Sequence, residues 1–290
     1  KNLPVDMIEK LKTYDKKSDL ARITGIDDGE EETVLDLTVK KGMNQGWFGN
    51  ADVAGGTEDR YMGRFMLNRF VDKTQVSVVG SANNVNDQGF SGGGGPPRWR
   101  RNNGLTATKM LGVNFATQTD KLELGGSARY NYQDGDIASI GSTEDFLPDG
   151  NSYSNSNSRQ RNKAKNFNAD FRMEWKPDSM TNIIFRPNFS YGKTDNLSNS
   201  ESGTFSSDPY SLVSDPNNWL NLEKILNPDD DPLRSIRINA INSGSLSDNK
   251  SVSTDATLQL NRKLNDKGRN VTFRGRFGYT NNDNNQYTES

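Results

Sequence analysis

The sequence predicts an all-β membrane protein: an antiparallel up-and-down transmembrane β-barrel, present in part as about nine strands over residues 46–290, preceded by a small α/β unit over residues 1–45. Three observations predict it. Apolar and polar residues alternate with period two along many stretches, which in a strand places them on opposite sides. The polar parity repeatedly carries full charges, such as Arg172, Arg274 and Arg276. Short and long connections alternate along the chain, an asymmetry typical of bacterial outer-membrane barrels.

Composition narrows the function classes. The 290 residues carry 36 basic and 38 acidic side chains, a net charge of −2, without the basic excess of a nucleic-acid binder. The apolar class is only 31%, yet aromatics reach 9% and the net charge is small, which fits disorder poorly. There is no Cys and no His. Disulfides, thiolate metal sites and Ser-His-Asp hydrolysis are excluded within this chain. No apolar run approaches the roughly 18 residues of a membrane helix. A start at Lys1-Asn2, without Met or a leader, leads us to expect a processed chain or a fragment.

Taken in order, Leu3 to Ile8 suggests a short helical turn with Pro4 near its first position. A strand is expected over 8–14, a polar turn-prone stretch from Asp15 to Asp28, and a second strand over 33–40 ending at Lys41-Gly42. Residues 46–56, 60–71, 74–84 and 105–118 alternate less cleanly. In 121–133, Leu122, Leu124, Ala128, Tyr130 and Tyr132 oppose Glu123, Ser127, Arg129 and Asn131. In 164–176, Phe167, Ala169, Phe171, Met173 and Trp175 oppose Asn168, Asp170, Arg172 and Glu174. In 181–192, Ile183, Phe185, Pro187, Phe189 and Tyr191 oppose Ile184, Arg186, Asn188 and Ser190. Stretches 251–262 and 270–280 repeat the pattern, the latter setting Val271, Phe273, Phe277 and Tyr279 against Thr272, Arg274 and Arg276.

Tight turns are expected at 72–73, 118–121, 177–179 and 264–268, and long loops at 85–104, 135–163 and 196–249. A meander puts the long loops on one rim, where only the connection near 57–59 is short. At about 3.3 Å per residue and a tilt of about 40°, the stretch Leu122 to Tyr132 spans roughly 25 Å, the height of a barrel's apolar band. Tyr130, Tyr132, Tyr191 and Tyr279 fall at the long-loop ends and Trp175 at a tight-turn end, where interfacial aromatics belong. A soluble β-sandwich predicts the same alternation but neither the charged parity nor one-sided loops. Nine strands give an odd count with open edges, so a piece of a larger barrel is expected.

Three segments of the first unit carry a resemblance: Met7 to Asp15 (MIEKLKTYD), Thr24 to Gly29 (TGIDDG) and Val34 to Gly42 (VLDLTVKKG). Together they resemble the end of the plug domain of TonB-dependent outer-membrane receptors, most closely the large Bacteroidetes branch. The strand ending in Lys-Lys-Gly before the first barrel strand is the most specific part. Where many relatives have a glycine-rich turn, this chain has Asp15-Lys16-Lys17-Ser18-Asp19. The resemblance implies a plug inside a barrel of about 22 strands. It implies localisation in the Gram-negative outer membrane among its lipids, and uptake of a nutrient of the siderophore, glycan or peptide class. Energy would come from a TonB-type partner touching a segment upstream of the plug. A surface lipoprotein lid, touching the loop helix over 215–226, is the candidate surface partner; no enzyme activity, cofactor, metal or nucleic acid is implied. The alternatives are a secreted or surface-exposed β-rich adhesin or structural protein, and an outer-membrane barrel enzyme.

Candidate sites lie in the loops and on the polar parity. Arg98, Trp99 and Arg100 follow a glycine run in the first long loop. They suit ligand capture, Arg pairing with carboxylate or phosphate and Trp stacking on a ring, or packing of the loop on a plug. Residues 215–226 read as a short helix capped by Asp215, with Trp219, Leu222 and Leu226 on one face, either self-packing or touching a partner. Asp229-Asp230-Asp231 lacks the spacing of a calcium loop and reads as a solvated turn. Arg64, Arg129, Asp170, Arg172, Glu174, Arg186, Arg274 and Arg276 are expected to face a lumen or plug.

Overall fold

A computed structural model describes residues 8–17, 21, 29, 31–40, 45–87, 104–148, 150–227, 230–265 and 269–290. Strands β1 (Ile8–Lys17) and β2 (Glu31–Val39) form a two-stranded antiparallel sheet, with Thr13 opposite Leu35 and Tyr14 opposite Val34. The Thr33 hydroxyl donates to Asp15 Oδ1 across it at 2.8 Å. Both expected strands are therefore present, β1 running on through Lys17. The helical turn expected at Leu3 lies outside the described residues.

The remaining strands are β3 (Gln45–Gly55), β4 (Tyr61–Val71), β5 (Thr74–Asn83), β6 (Leu105–Gln118), β7 (Leu122–Asp145), β8 (Ser152–Trp175), β9 (Thr181–Phe205), β10 (Arg237–Lys263) and β11 (Asn270–Glu289). They make one nine-stranded sheet in strict sequence order, each neighbour antiparallel. The protein is thus all-β in its main body, as the alternation predicted. The sheet is open: β3 and β11 are its edges and do not pair with one another. Among the described residues no helix is long and apolar enough to cross a membrane, which leaves crossing by strands unaddressed.

Tight turns join the strands on one rim, at 72–73, 119–121, 176–180 and 264–269. Asp72 takes a left-handed φ of 51° there, which Asp tolerates better than branched residues. On the other rim the connections are 56–60, 84–104, 146–151 and 206–236. Two of the expected long loops are therefore shorter than expected. Residues 135–145 and 152–163 are paired strand, and so are 196–205 and 237–249. The reason is physical. Once the chain leaves the apolar band its side chains need not alternate in polarity, but the backbone ladder continues wherever each N–H and C=O finds a partner. Asn, Ser, Thr and ion pairs then replace Leu and Phe, and the composition imitates a loop.

The 206–236 connection has its own small core. Phe205, Leu220 and Leu233 are 0% exposed, with Tyr153, Val213, Trp219 and Ile236 packed around them. The expected single helix is two short ones. A 3-10 turn, Pro216–Trp219, is capped by Asp215, whose Oδ1 accepts from the Asn217 amide at 3.0 Å. Asn221 then caps α1 (Leu222–Leu226) by accepting from the Lys224 amide at 2.8 Å. That second cap resets the helical phase. Leu220, not Leu222 or Leu226, is the buried anchor, and both of the latter are exposed.

Candidate functional site

The register across all nine strands decides which side chains share a face. A middle row runs Gly49, Leu67, Val78, Val113, Ala128, Ala169, Phe189, Thr254 and Tyr279, each opposite the next. The neighbouring row toward the long-loop rim runs Ala51, Phe65, Gly80, Leu111, Tyr130, Phe167, Tyr191, Val252 and Asn281. Toward the tight-turn rim lie Trp47, Arg69, Val76, Phe115 and Gly126 on β3 to β7. Leu122, Trp175, Ile183, Leu260 and Phe273 continue the same face lower on β7 to β11. Side chains two apart on one strand point the same way, so these rows form a continuous apolar belt.

The belt is uncovered. Phe65, Leu67, Leu111, Phe115, Phe189, Leu258 and Phe273 are exposed, Trp47 at 62% and Phe277 at 61%. Aromatic pairs within it, Phe115–Phe171 at 6.1 Å and Phe167–Phe189 at 6.0 Å, pack along the surface, the first pair meeting over Gly126. A water-facing patch spanning nine strands far exceeds the few hundred Å² that monomeric soluble proteins show.

The opposite face reverses the usual arrangement. It holds the buried polar side chains Asn68, Asn83, Glu174, Gln259 and Asn261 beside Phe70, Val79 and Ile184. Arg64, Arg129, Asp170, Arg172, Glu174, Arg186, Arg274 and Arg276 all lie on this face, by their register with Asp52, Asn168, Ser127, Gly125, Glu123, Thr257, Gln259 and Thr257. Arg64 Nε is 2.8 Å from Asp52 Oδ2. Glu174, 3% exposed, is the best-held group: Arg172 Nη2 donates to Oε2 at 2.8 Å, Asn182 Nδ2 to Oε1 at 3.0 Å, and Lys176 Nζ lies 3.3 Å from Oε1. Arg172 also donates to Glu123 Oε1 at 2.8 Å. The Ser127 hydroxyl donates to Asp170, and Arg276 lies 3.5 Å from Asp255. Arg129 and Arg274 are exposed. Asn261 Nδ2 and Oδ1, Asn182 Oδ1 and Gln259 Nε2 are buried without partners in the structure, so this face calls for water or further polar groups.

The loop candidates separate. Arg98, Trp99 and Arg100 lie outside the described residues. Trp219 is half-buried against the loop core, with Lys224 Nζ 4.9 Å from its ring centroid. Its carbonyl accepts from Arg237 Nη2 at 3.0 Å. Its ring is thus used in self-packing. The solvated turn expected at Asp231 is corrected: Asp231 is buried, paired with the Arg237 guanidinium, and accepts the Leu233 amide at 3.0 Å. Among the described residues no group of three or more His, Cys, Asp or Glu could hold a metal ion.

Sequence reasoning missed the ladder above the belt. On the projecting β7–β8 hairpin, Arg161 donates to Asp134 at 3.3 and 3.2 Å, and Arg159 to Asp136 at 3.1 and 2.7 Å. The hydrogen bonds from Arg161 hold the Asp134 carboxyl below the usual carboxylate range, and those from Arg159 do the same for Asp136. Continuing the odd parity of β8 past Phe167 would have put Arg159 and Arg161 on the belt's side. No protein-family model matches the chain, and no curated protein matches its sequence.

Proposed function

We propose that this chain forms part of the wall of an outer-membrane barrel, with the end of a plug before it, in a receptor for TonB-dependent uptake of a nutrient of the siderophore, glycan or peptide class. The observation that carries the membrane half is the reversed polarity: the apolar belt is uncovered across nine strands, while amides and ion pairs fill the other face. A soluble sandwich would bury those phenylalanines between two sheets. Lipid covers them without a second sheet. The open ladders of β3 and β11 cannot meet hydrocarbon with their N–H and C=O groups unpaired, so in a membrane both edges need further strands as partners.

The uptake half rests on the resemblance of residues 7–42 to the plug of TonB-dependent receptors. The polar face supports it, because charged and amide side chains suit contact with a plug or a wet solute path better than a sealed core. The test is growth of cells lacking the full-length protein on siderophore-bound iron, glycan or peptide as the only source. Loss of growth on one source, restored by the wild-type protein and abolished again by removing TonB, supports the reading. Unchanged growth on all three contradicts it.

A further inference from the structure

One row beyond the aromatic edge of the belt, the register runs Lys109, Tyr132, Lys165, Lys193, Lys250 and Asp283 on β6 to β11, each opposite the next. Lys165, Lys193 and Lys250 are therefore three consecutive cross-strand neighbours on the belt's own face. Strands lie only about 4.8 Å apart, and like charges placed opposite one another destabilise a sheet. Lys193 is neutralised, its Nζ 2.9 Å from Asp248 and 3.4 Å from Asp195. Lys165 and Lys250, on either side of it, are exposed, and among the described residues neither has a carboxylate within ion-pair distance. Asp283, opposite Lys250, makes no ion pair with it. One row nearer the belt's centre, roughly 7 Å along the strands, stand Phe167, Tyr191 and Val252. This is the level at which apolar side chains give way to charged ones, with Asp134, Lys163, Asp195 and Asp248 in the next row outward.

We propose that this row holds the phosphate of an anionic lipid headgroup, with Lys165 and Lys250 donating to it and the acyl chains lying over Phe167, Tyr191 and Val252. The proposal rests on the membrane-facing reading of the belt. Lysine is a flexible point charge with three donors and suits a phosphate whose position varies. Lys193 bridges Asp195 and Asp248, and the charge of Lys250 also bears on Asp248, so these two carboxylates are balanced by cations of the same face. The bound phosphate offsets the like charge that Lys165, Lys193 and Lys250 place side by side in one row.

The test uses the full chain in nonionic detergent, titrated with phosphatidylglycerol or phosphatidylcholine, bound lipid being counted by native mass spectrometry. Wild type is expected to prefer phosphatidylglycerol. The K165Q/K250Q double variant should lose about ten-fold in that preference, while K12Q, in the small sheet, keeps it. Inorganic phosphate in excess should leave lipid binding intact, since the acyl chains contribute. Equal binding of the two lipids, an unchanged preference in K165Q/K250Q, or displacement by inorganic phosphate would overturn the headgroup site and leave the belt reading standing. Failure to bind either lipid would overturn both.

Discussion

Trp47 and Arg69 face each other across the β3–β4 ladder, the guanidinium carbon 5.0 Å from the indole centroid. Both lie at the tight-turn edge of the belt; if the belt meets lipid, an indole and a cation there share the headgroup level. A W47L, R69A double-mutant cycle, read by urea unfolding in lipid vesicles, should give a coupling of about 0.5–1 kcal/mol. A coupling of zero contradicts the pairing.

Ala169 and Asn168 are adjacent in sequence and on opposite faces, Ala169 in the middle row of the belt opposite Ala128 and Phe189. If the belt meets acyl chains, A169R should destabilise the vesicle-folded protein by about 2–4 kcal/mol, whereas N168R, facing the polar side, should cost under about 1 kcal/mol. Equal costs for the two variants would mean that the faces do not see different solvents.

Arg237 and Asp231 form a buried pair that ties the end of the 206–236 loop to the Trp219 carbonyl. Removing the cation leaves a buried carboxylate without its partner, at a cost of about 3–5 kcal/mol. R237A should therefore open the loop locally, seen as new protease cleavage within 206–236 while the strand ladder stays protected. R237M/D231L, which removes both charges, should restore much of the resistance. Cleavage unchanged in R237A would show that the pair does not hold the loop.

Asp134 and Asp136 have folded-state pKa values below their unfolded ones because arginines hydrogen-bond them. A depressed carboxyl stabilises the fold above the unfolded value, near 3.9, and that contribution is lost as pH falls through the lower folded value. Amide protection over 134–145 and 152–161 should hold between neutral pH and about pH 5, then weaken below about pH 4. Strong salt should weaken it further at neutral pH by screening these exposed pairs. Loss of protection between pH 7 and pH 5 would point to another group.

The strands were legible where the belt is, because Phe167 to Trp175 and Ile183 to Tyr191 alternate apolar with mostly polar side chains. The projecting ends of β7 to β10 were not, since Asp134, Arg161 and their neighbours pair by charge and backbone, and polarity alone does not report a ladder. The faces of Arg172 and Glu174 followed from parity, but the grip of Asn182 and Lys176 on Glu174 depends on which strand lies next door. Likewise Lys165, Lys193 and Lys250 each extend an apolar parity, yet their alignment in one row needed the cross-strand register. The Asn221 cap was visible as a residue type; its effect, making Leu220 the anchor, depended on where the helical phase restarts.

The absence of cysteine makes the chain suited to single-site labelling. The most direct measurement is a nitroxide scan, one introduced cysteine at a time from 183 to 191 on β9, in lipid vesicles, comparing collision with oxygen and with a water-soluble nickel chelate. Oxygen contact should peak at 183, 185, 189 and 191 and nickel contact at 184, 186, 188 and 190. An inverted phase, or no period of two, would show that the belt does not face lipid.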